Sequence, residues 1–551
     1  MSYRVWVIGL DGATFDLILP WVKAGHLPVL ERLLREGSWG EVRSTIPPIT
    51  GPAWTSFMSG TNPGRHGIFD WVYRKHGSYE FHPVTAANSR QPSLWKIASA
   101  AGKRVMALNV PMTFPPEEVN GIIVSGLPAT TLTTFPAQLA REILAENPDY
   151  VVYPDPGQAY SDQGIQSFLT TLEKSIQGQS RLWRSFMQRE RWDFAMLVYN
   201  ATDVVQHAMW KFMSPSHPQH DARKAQKYQE AILDTYRRLD TILGETIQSM
   251  DDDSVLWLMS DHGFGPITHF IHVNTWLIQQ GFMSLHSDAL TRLKAYLFRL
   301  GLAPMPIYDL LIRLGFGRFK REVVRGRGQG MLKALFLSFN NVDWSKTQAY
   351  SLGNIGQIRI NLRGREPDGC VQPGAEFERV VAKIFAGLEE LRDPDSGELV
   401  IESIYRNPEV YQGRAASDGA DILFLPRRLE YFGFGEYEFA DNRVVAPLKR
   451  GISGTHRMNG IGIAWGKPIR SGKLKDARLE DFAPTILHLL GLPVPAHMDG
   501  RPMLEILADD ANLPAVQYGP GWDDGENPDL HLSIQEEDTI RQRLRDLGYV
   551  A

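Results

Sequence analysis

Three times in this sequence a short apolar run is followed by an aspartate, and that recurrence limits the fold more than any other feature. Tyr3-Arg4-Val5-Trp6-Val7-Ile8-Gly9-Leu10 leads into Asp11-Gly12, and Phe194-Ala195-Met196-Leu197-Val198-Tyr199 is followed closely by Asp203 and His207. Ser254-Val255-Leu256-Trp257-Leu258-Met259-Ser260 ends at Asp261-His262-Gly263. Runs of this length without polar alternation fit parallel strands buried on both faces. In an open α/β sheet, ligands bind outside the carboxyl ends of the strands, which is where these side chains fall. Three carboxylates converging on one edge would repel one another and resist ionisation, a conflict that a bound cation resolves. Each Asp-His pair taken alone has a plainer reading, as a cap or a local hydrogen bond.

The segments between these runs alternate in character. Pro28–Glu36 reads as a helix, with Pro28 in its first turn, Leu30, Leu33 and Leu34 on one face, and Gly37 as a stop. Residues 105–110 and 121–125 read as strands, and 137–146 and 165–189 as helices. The alternation predicts an α/β fold: a doubly wound, mostly parallel sheet with helices on both faces. Further strands are expected at 357–361, 421–425 and 461–465, a helix at 482–490, and a short charged helix at 536–547. Residues 281–345 differ, being leucine-rich and interrupted by Pro304, Pro306 and several glycines. They read as an inserted helical lid, which leaves 1–280 and 346–510 as a discontinuous core and 511–551 as a C-terminal tail. From 292 to 333 there are ten Lys or Arg against two acids, in a chain of net charge -5. The plain reading of that stretch is a solvated basic face; the sharper one is a cap that draws anionic substrate, or a surface for anionic lipid.

Composition narrows the chemistry. A hydrophobic fraction of 43% and a charged fraction of 22% are those of a soluble globular protein, and the negative balance argues against a general nucleic-acid binder. The single cysteine, Cys370, excludes an intramolecular disulfide and cysteine-rich zinc modules, so metal ligands must be mainly Asp and His. The first strand begins within a few residues of the start and no apolar run reaches about 18 residues. No transmembrane segment is therefore expected, and the expected compartment is cytoplasmic.

Three further stretches carry candidate residues. Ser44-Thr45-Ile46-Pro47-Pro48-Ile49-Thr50-Gly51-Pro52 runs into a helix, so Thr50 falls near a helix N-terminus, where it serves either as a cap or in an anion site. Thr61-Asn62-Pro63-Gly64-Arg65-His66-Gly67-Ile68 has the residues of a tight loop, with Arg65 and His66 expected in solvent. His456 sits in the glycine-rich run Gly451-Ile452-Ser453-Gly454-Thr455-His456, read as a loop before a strand. His207, four residues after Asp203, shares a face with it if the segment is helical.

Taken in order, these residues resemble the alkaline phosphatase superfamily, and within it the branch of type I phosphodiesterases and nucleotide pyrophosphatases. Thr50-Gly51-Pro52 with Gly60, Pro63 and His66-Gly67-Ile68 resembles that branch's nucleophile segment. Asp203 with His207, Asp261-His262-Gly263, Gly454-Thr455-His456, Pro484-Thr485-Ile486-Leu487 and Asp499-Gly500-Arg501 resemble its later motifs. The resemblance implies a two-metal hydrolase. One divalent ion would be held by Asp203, His207 and His456, and another by Asp11, Asp261, His262 and the Thr50 oxygen; zinc suits both, and manganese or iron fits similar ligands. Thr50 would attack phosphorus and form a phosphothreonine, with the Gly51 N–H helping to hold the phosphoryl oxygens. Trp71 stands where that branch usually has an asparagine, a departure that keeps diester, pyrophosphate, monoester and phosphonate substrates all open. The implied partner is a small phosphorylated substrate, a nucleotide or a lipid head group. Sulfatase is disfavoured, because Thr50 and Trp54 do not match a Cys/Ser-x-Pro-x-Arg motif. The alternatives are a phosphomonoesterase, phosphonate hydrolase or phosphomutase of the same superfamily, or a non-catalytic binding protein on this fold.

Overall fold

The computed structural model describes residues 2–161, 163–307, 335–435, 439–522 and 533–546. A central sheet runs in the order Gly472–Lys473, Ser38–Arg43, Asn459–Trp465, Ser254–Met259, Arg4–Leu10, Phe194–Tyr199, Val105–Val110, Gly121–Ser125 and Thr134–Phe135. Ala477–Arg478 also pairs with Ser38–Arg43. The sheet is mostly parallel; only the pairings made by Asn459–Trp465 and by Thr134–Phe135 run antiparallel. Val105–Val110, Phe194–Tyr199 and Ser254–Met259 are buried along their whole length, which requires cover on both faces. Helices Pro28–Glu36, Leu94–Ala100, Ile165–Arg189, Ala201–Met213 and Phe482–Leu489 pack against strands of this sheet.

Arg4–Leu10 lies between Phe194–Tyr199 and Ser254–Met259, parallel to both and in register with Leu10 opposite Tyr199 and Gly9 opposite Met259. All three apolar runs therefore end at the same edge of the sheet. The fold is the α/β, doubly wound arrangement that their composition predicts.

The chain between the last parallel strand and Asn459–Trp465 builds a second lobe. His269–His272, Gly353–Asn354, Tyr431–Gly435 and Val445–Pro447 form one four-stranded sheet, and Ala349–Ser351, Gln357–Ile360, Ile401–Arg406 and Ile422–Pro426 another. Trp276, Phe282, Tyr350, Ile384 and Phe424 share its separate hydrophobic cluster. The strands expected near 357 and 421 thus belong to this lobe, and after Ser254–Met259 the central sheet gains its next strand at Asn459–Trp465. Of the expected lid over 281–345, helix Ala289–Arg299 is described and residues 308–334 lie outside the described residues. The tail carries helix Ile534–Asp546, whose Ile540 and Leu544 are buried in the main core. Among the described residues no helix is long and apolar enough to cross a membrane.

Candidate active site

Each candidate side chain reaches the sheet edge by a different local device. Asp11 follows Arg4–Leu10 at once, and the chain turns at Gly12, where φ is +65°. A Cβ there would lie 2.8 Å from the Phe264 ring and 3.4 Å from Asp203 Oδ1, so glycine meets both the backbone and the space requirement. Asp203 and His207 sit one turn apart on helix Ala201–Met213, as the four-residue spacing predicts. Asp261 and His262 follow Ser254–Met259. His456 lies in strand Gly454–Arg457, not in a loop: the strand pairs antiparallel with Gly263–Pro266, with His456 opposite Phe264. Thr50 is the first residue of helix Thr50–Ser59, while Ile49 takes the capping position and no side chain caps the helix. Its hydroxyl is therefore not a cap; its oxygen lies 3.2 Å from His262 Nε2.

The hydrogen bonds around this cluster leave one coordinating atom per residue. His207 Nδ1 donates to the Gly454 carbonyl at 2.8 Å, His456 Nδ1 to the Pro48 carbonyl at 2.8 Å, and His262 Nδ1 to the Gly263 carbonyl at 3.1 Å. That fixes each imidazole with a lone pair on Nε2, facing the cluster. Asp11 Oδ2 accepts from Trp54 Nε1 and Asn200 Nδ2, both at 3.2 Å, and Asp261 Oδ1 accepts from the Gly12 N–H at 3.2 Å. Asp11 Oδ1, Asp261 Oδ2 and Asp203 Oδ1 are buried and have no hydrogen-bond donor. Each faces an imidazole nitrogen instead. Asp11 Oδ1 is 3.7 Å and Asp261 Oδ2 3.2 Å from His262 Nε2, and Asp203 Oδ1 is 3.4 Å from Nε2 of both His207 and His456.

These separations suit cations. Two donor atoms, each about 2.0–2.2 Å from a tetrahedral zinc ion, lie roughly 3.3–3.6 Å apart. Asp203, His262 and His456, and likewise Asp11, Asp261 and His262, offer donor atoms within 4.8 Å of one another. His207 adds to the first group, its Nε2 being 3.3 Å from that of His456. Burial, aided by the charges of the neighbouring aspartates, pushes the Asp11 and Asp261 carboxyls well above the usual range. Burial also holds the His262 imidazolium well below its ordinary range and that of His456 below it. Burial pushes Asp203 up as well, but His207 and His456 outweigh it and hold the carboxyl low. Orphaned carboxylate oxygens and imidazoles tied to carbonyls through Nδ1 are the donor set a divalent ion needs.

The surrounding residues divide into supports and walls. His66 is fully buried rather than solvated: Ile68 N–H donates to its Nδ1 at 3.1 Å, so Nε2 carries the proton and donates to Ser56 Oγ at 3.0 Å. Arg65 pairs with Asp499 at 2.9 Å, tying the turn after helix Thr50–Ser59 to the C-terminal loop. Trp71 is fully buried and lies against Gly51, whose Cβ position is 3.6 Å from its ring. Gly51 is in the first turn of its helix, where backbone N–H groups lack intrahelical acceptors. Trp54 and Asn200, which orient Asp11, have no signal in the sequence motifs beyond their nearness to Thr50 and Asp203.

Asp70, next to Trp71, accepts from the Trp71 and Asn354 N–H groups at 2.6 Å each, from Asn354 Nδ2 at 2.8 Å and from Gln357 Nε2 at 2.6 Å. Burial outweighs these bonds and pushes its carboxyl up to about 6. The unfolded group titrates near 3.8, so the folded state holds the extra proton between those values, and Asp70 makes the protein less stable as pH rises from about 4 to about 6. The full effect is on the order of 3 kcal/mol. Asp70→Asn is expected to flatten the fall in melting temperature between pH 4.5 and 7; an unchanged slope would refute the assignment.

A family model described as type I phosphodiesterase/nucleotide pyrophosphatase matches residues 5–432, which include six of the seven candidate ligands but not His456. No curated protein sequence matches the chain. Among solved structures, phosphonoacetate hydrolase from Sinorhizobium meliloti 1021 in complex with phosphonoformate is similar at 15% identity and a TM-score of 0.52, over 88% of this chain and 95% of that one. Human ectonucleotide pyrophosphatase/phosphodiesterase 5 is 12% identical with a TM-score of 0.47, over 92% of this chain and 99% of that one. A mutant of the alkaline phosphatase PafA is 13% identical with a TM-score of 0.45, over 92% and 100%. At such identities the first of these bears on the fold alone, a mostly parallel α/β sheet covered by helices.

Proposed function

The chain belongs to the type I phosphodiesterase/nucleotide pyrophosphatase family, and from that premise we propose that it hydrolyses phosphodiester or pyrophosphate bonds at a two-metal centre, with Thr50 as nucleophile. The observation that carries this reading is the set of orphaned oxygens on Asp11, Asp203 and Asp261, facing imidazoles whose other nitrogens are tied to carbonyls. Asp203, His207 and His456 would hold one ion, and Asp11, Asp261, His262 and the Thr50 oxygen the other. Zinc is the first choice for this N/O donor set, and manganese or iron fits similar ligands. Bound there, divalent ions supply Lewis acidity that stabilises an oxyanion and draws charge from phosphoryl oxygens.

The chain's own residues account for the rest of the reaction. Thr50, on the rigid first turn of its helix, presents its oxygen at the cluster and attacks phosphorus in line with the departing group. The Gly51 N–H, in a turn with no internal acceptor for it, is placed to receive a phosphoryl oxygen. Water then breaks the phosphothreonine and restores the hydroxyl. The substrate is a small organic phosphate such as a nucleotide or a phosphorylated head group.

Trp71 favours keeping a second reading beside the first. An asparagine at that position would offer an amide to the phosphoryl group, whereas the indole is packed on Gly51. A substrate with a different charge, a monoester or a phosphonate, is thereby left within reach. The deciding assay compares a bis-aryl phosphate diester with the matching monoester, using zinc- or manganese-loaded protein. Preference for the diester is expected. Preference for the monoester would move the reading to a phosphatase, transfer to an added alcohol instead of water to a mutase, and no turnover of either ester would overturn the hydrolase reading.

A further inference from the structure

Away from the metal-ligand cluster, Arg74, Arg359 and Arg365 come together beside the hairpin of Val72–Arg74 and Phe81–Pro83, with Glu366 and Asp421 as the neighbouring carboxylates. Arg365 engages both. Its Nε donates to the two Glu366 oxygens at 2.9 and 3.1 Å, and its Nη1 and Nη2 each donate to Asp421 at 2.7 Å. Backbone N–H groups of Leu362 and Ile360 take further lone pairs of the same carboxylates, at 2.9 and 2.7 Å. Arg74 is left 3.7 Å from Glu366, with one hydrogen bond to the Ser78 carbonyl and a buried Nε that has no acceptor. Its side chain is only 8% exposed. Arg359 is also buried and bonds only to the carbonyls of Asp418 and Gly419.

Three guanidinium groups thus share two carboxylates, both already filled by the third. Burial works against the charge on Arg359, and so do Arg74 and Arg365, while Tyr350 and Asp421 offset this only in part. An uncompensated cation out of water is costly unless an anion completes it. Arg74 and Arg359 both line a cavity of about 570 Å³. Arg90, whose Nε is likewise buried without an acceptor, forms part of the same wall, and Phe81 gives it an apolar patch. The acids that reach this cavity are already engaged: Asp418 with Arg90 at 2.6 Å, Glu537 with His82 at 2.9 Å, and Asp70 with its four amide donors. None of the seven candidate metal ligands, Thr50 among them, lines it.

We infer that this cavity is a second anion site, which takes a phosphoryl group through Arg74 and Arg359. The planar guanidinium fork matches a phosphoryl group's oxygens, and charge-assisted bonds of this kind are about twice as strong as neutral ones. The phosphoryl group belongs either to a non-reacting part of the substrate or to free phosphate acting as a regulator.

Calorimetric titration of the metal-loaded protein with inorganic phosphate is expected to resolve two classes of site, one at the metals and one here. Arg74→Gln should weaken the second class about tenfold or more, while Arg74→Lys, which keeps the charge, should weaken it less. Arg90→Gln, on a side chain 24% exposed, is the safer variant for folding and should act in the same direction. Turnover of a singly charged aryl diester should stay unchanged in both glutamine variants. A higher KM for a pyrophosphate-linked substrate, seen only in the variants, identifies a substrate subsite. A response of diester turnover to added phosphate that the variants lack identifies a regulator. One class of phosphate site in the wild type, or two classes that neither variant alters, overturns the inference. The titration needs no turnover, so its failure is distinct from failure of the hydrolase reading.

Discussion

Thr50→Ala is expected to lower ester hydrolysis by about ten-thousandfold to a millionfold, the loss typical of removing a covalent nucleophile from an otherwise intact site. Folding should be almost unaffected. Its helix is capped by no side chain, and alanine is at least as good a helix former. Metal content should also survive, because Asp11, Asp261 and His262 remain. Thr50→Ser keeps a hydroxyl and should retain far more activity than alanine. The check is single-turnover hydrolysis of an aryl diester with the metal content of each variant measured alongside. An alanine variant that turns over within about tenfold of wild type would sink the nucleophile assignment, and water attacking directly would become the better reading.

Chelation is expected to be the other large effect, on stability as well as on activity. A ligand that binds only the folded state at a thousand times its Kd stabilises it by about 4 kcal/mol, and each of two ions would contribute on that scale. Without them, three buried carboxylates keep oxygens with no donor, and burial and mutual repulsion act together on Asp11 and Asp261. Asp261→Asn then gives a reversal of sign. With metal present the variant should melt below wild type, because a ligand is lost. In chelator it should melt above wild type, because one charge is gone and the new amide can donate to Asp11 while Oδ1 still accepts from Gly12. Melting curves of both proteins, with and without chelator, test this. If chelator left the wild-type curve in place, the two-metal proposal would fail.

The parts of this site that the sequence announces are those set by short-range geometry. An apolar run puts its terminal Asp11 or Asp261 at a sheet edge, and a four-residue spacing puts Asp203 and His207 on one helical face. What holds those side chains depends on partners remote in the chain. The carbonyl that fixes His456 comes from Pro48 and the one that fixes His207 comes from Gly454. No local pattern encodes either. His66 misleads for the same reason: in a turn-rich segment it reads as solvated, yet the fold buries it between Ser56 and Ile68. The second lobe is also hidden. Its strands are short, and pairings such as His269 with Tyr431 join residues with long stretches of other structure between them. Arg74 and Arg359 meet across a similar separation, so their shared cavity leaves no trace in either neighbourhood.

The late arrival of Asn459–Trp465 has a consequence for synthesis. That strand lies between Ser254–Met259 and Ser38–Arg43. Until the ribosome delivers it, Ser254–Met259 stands at the rim of a partly built sheet, apolar from Val255 onward and with one side of its backbone unpaired. Such a rim is a template for association with other chains. About 200 residues separate the two strands, which at typical translation speeds amounts to roughly 10–40 s of exposure. The same delay withholds His456, so one half of the proposed metal centre cannot close on a nascent chain. Capture of that ion would then mark the completion of the sheet, and products truncated before residue 454 should be found with chaperones or in aggregates.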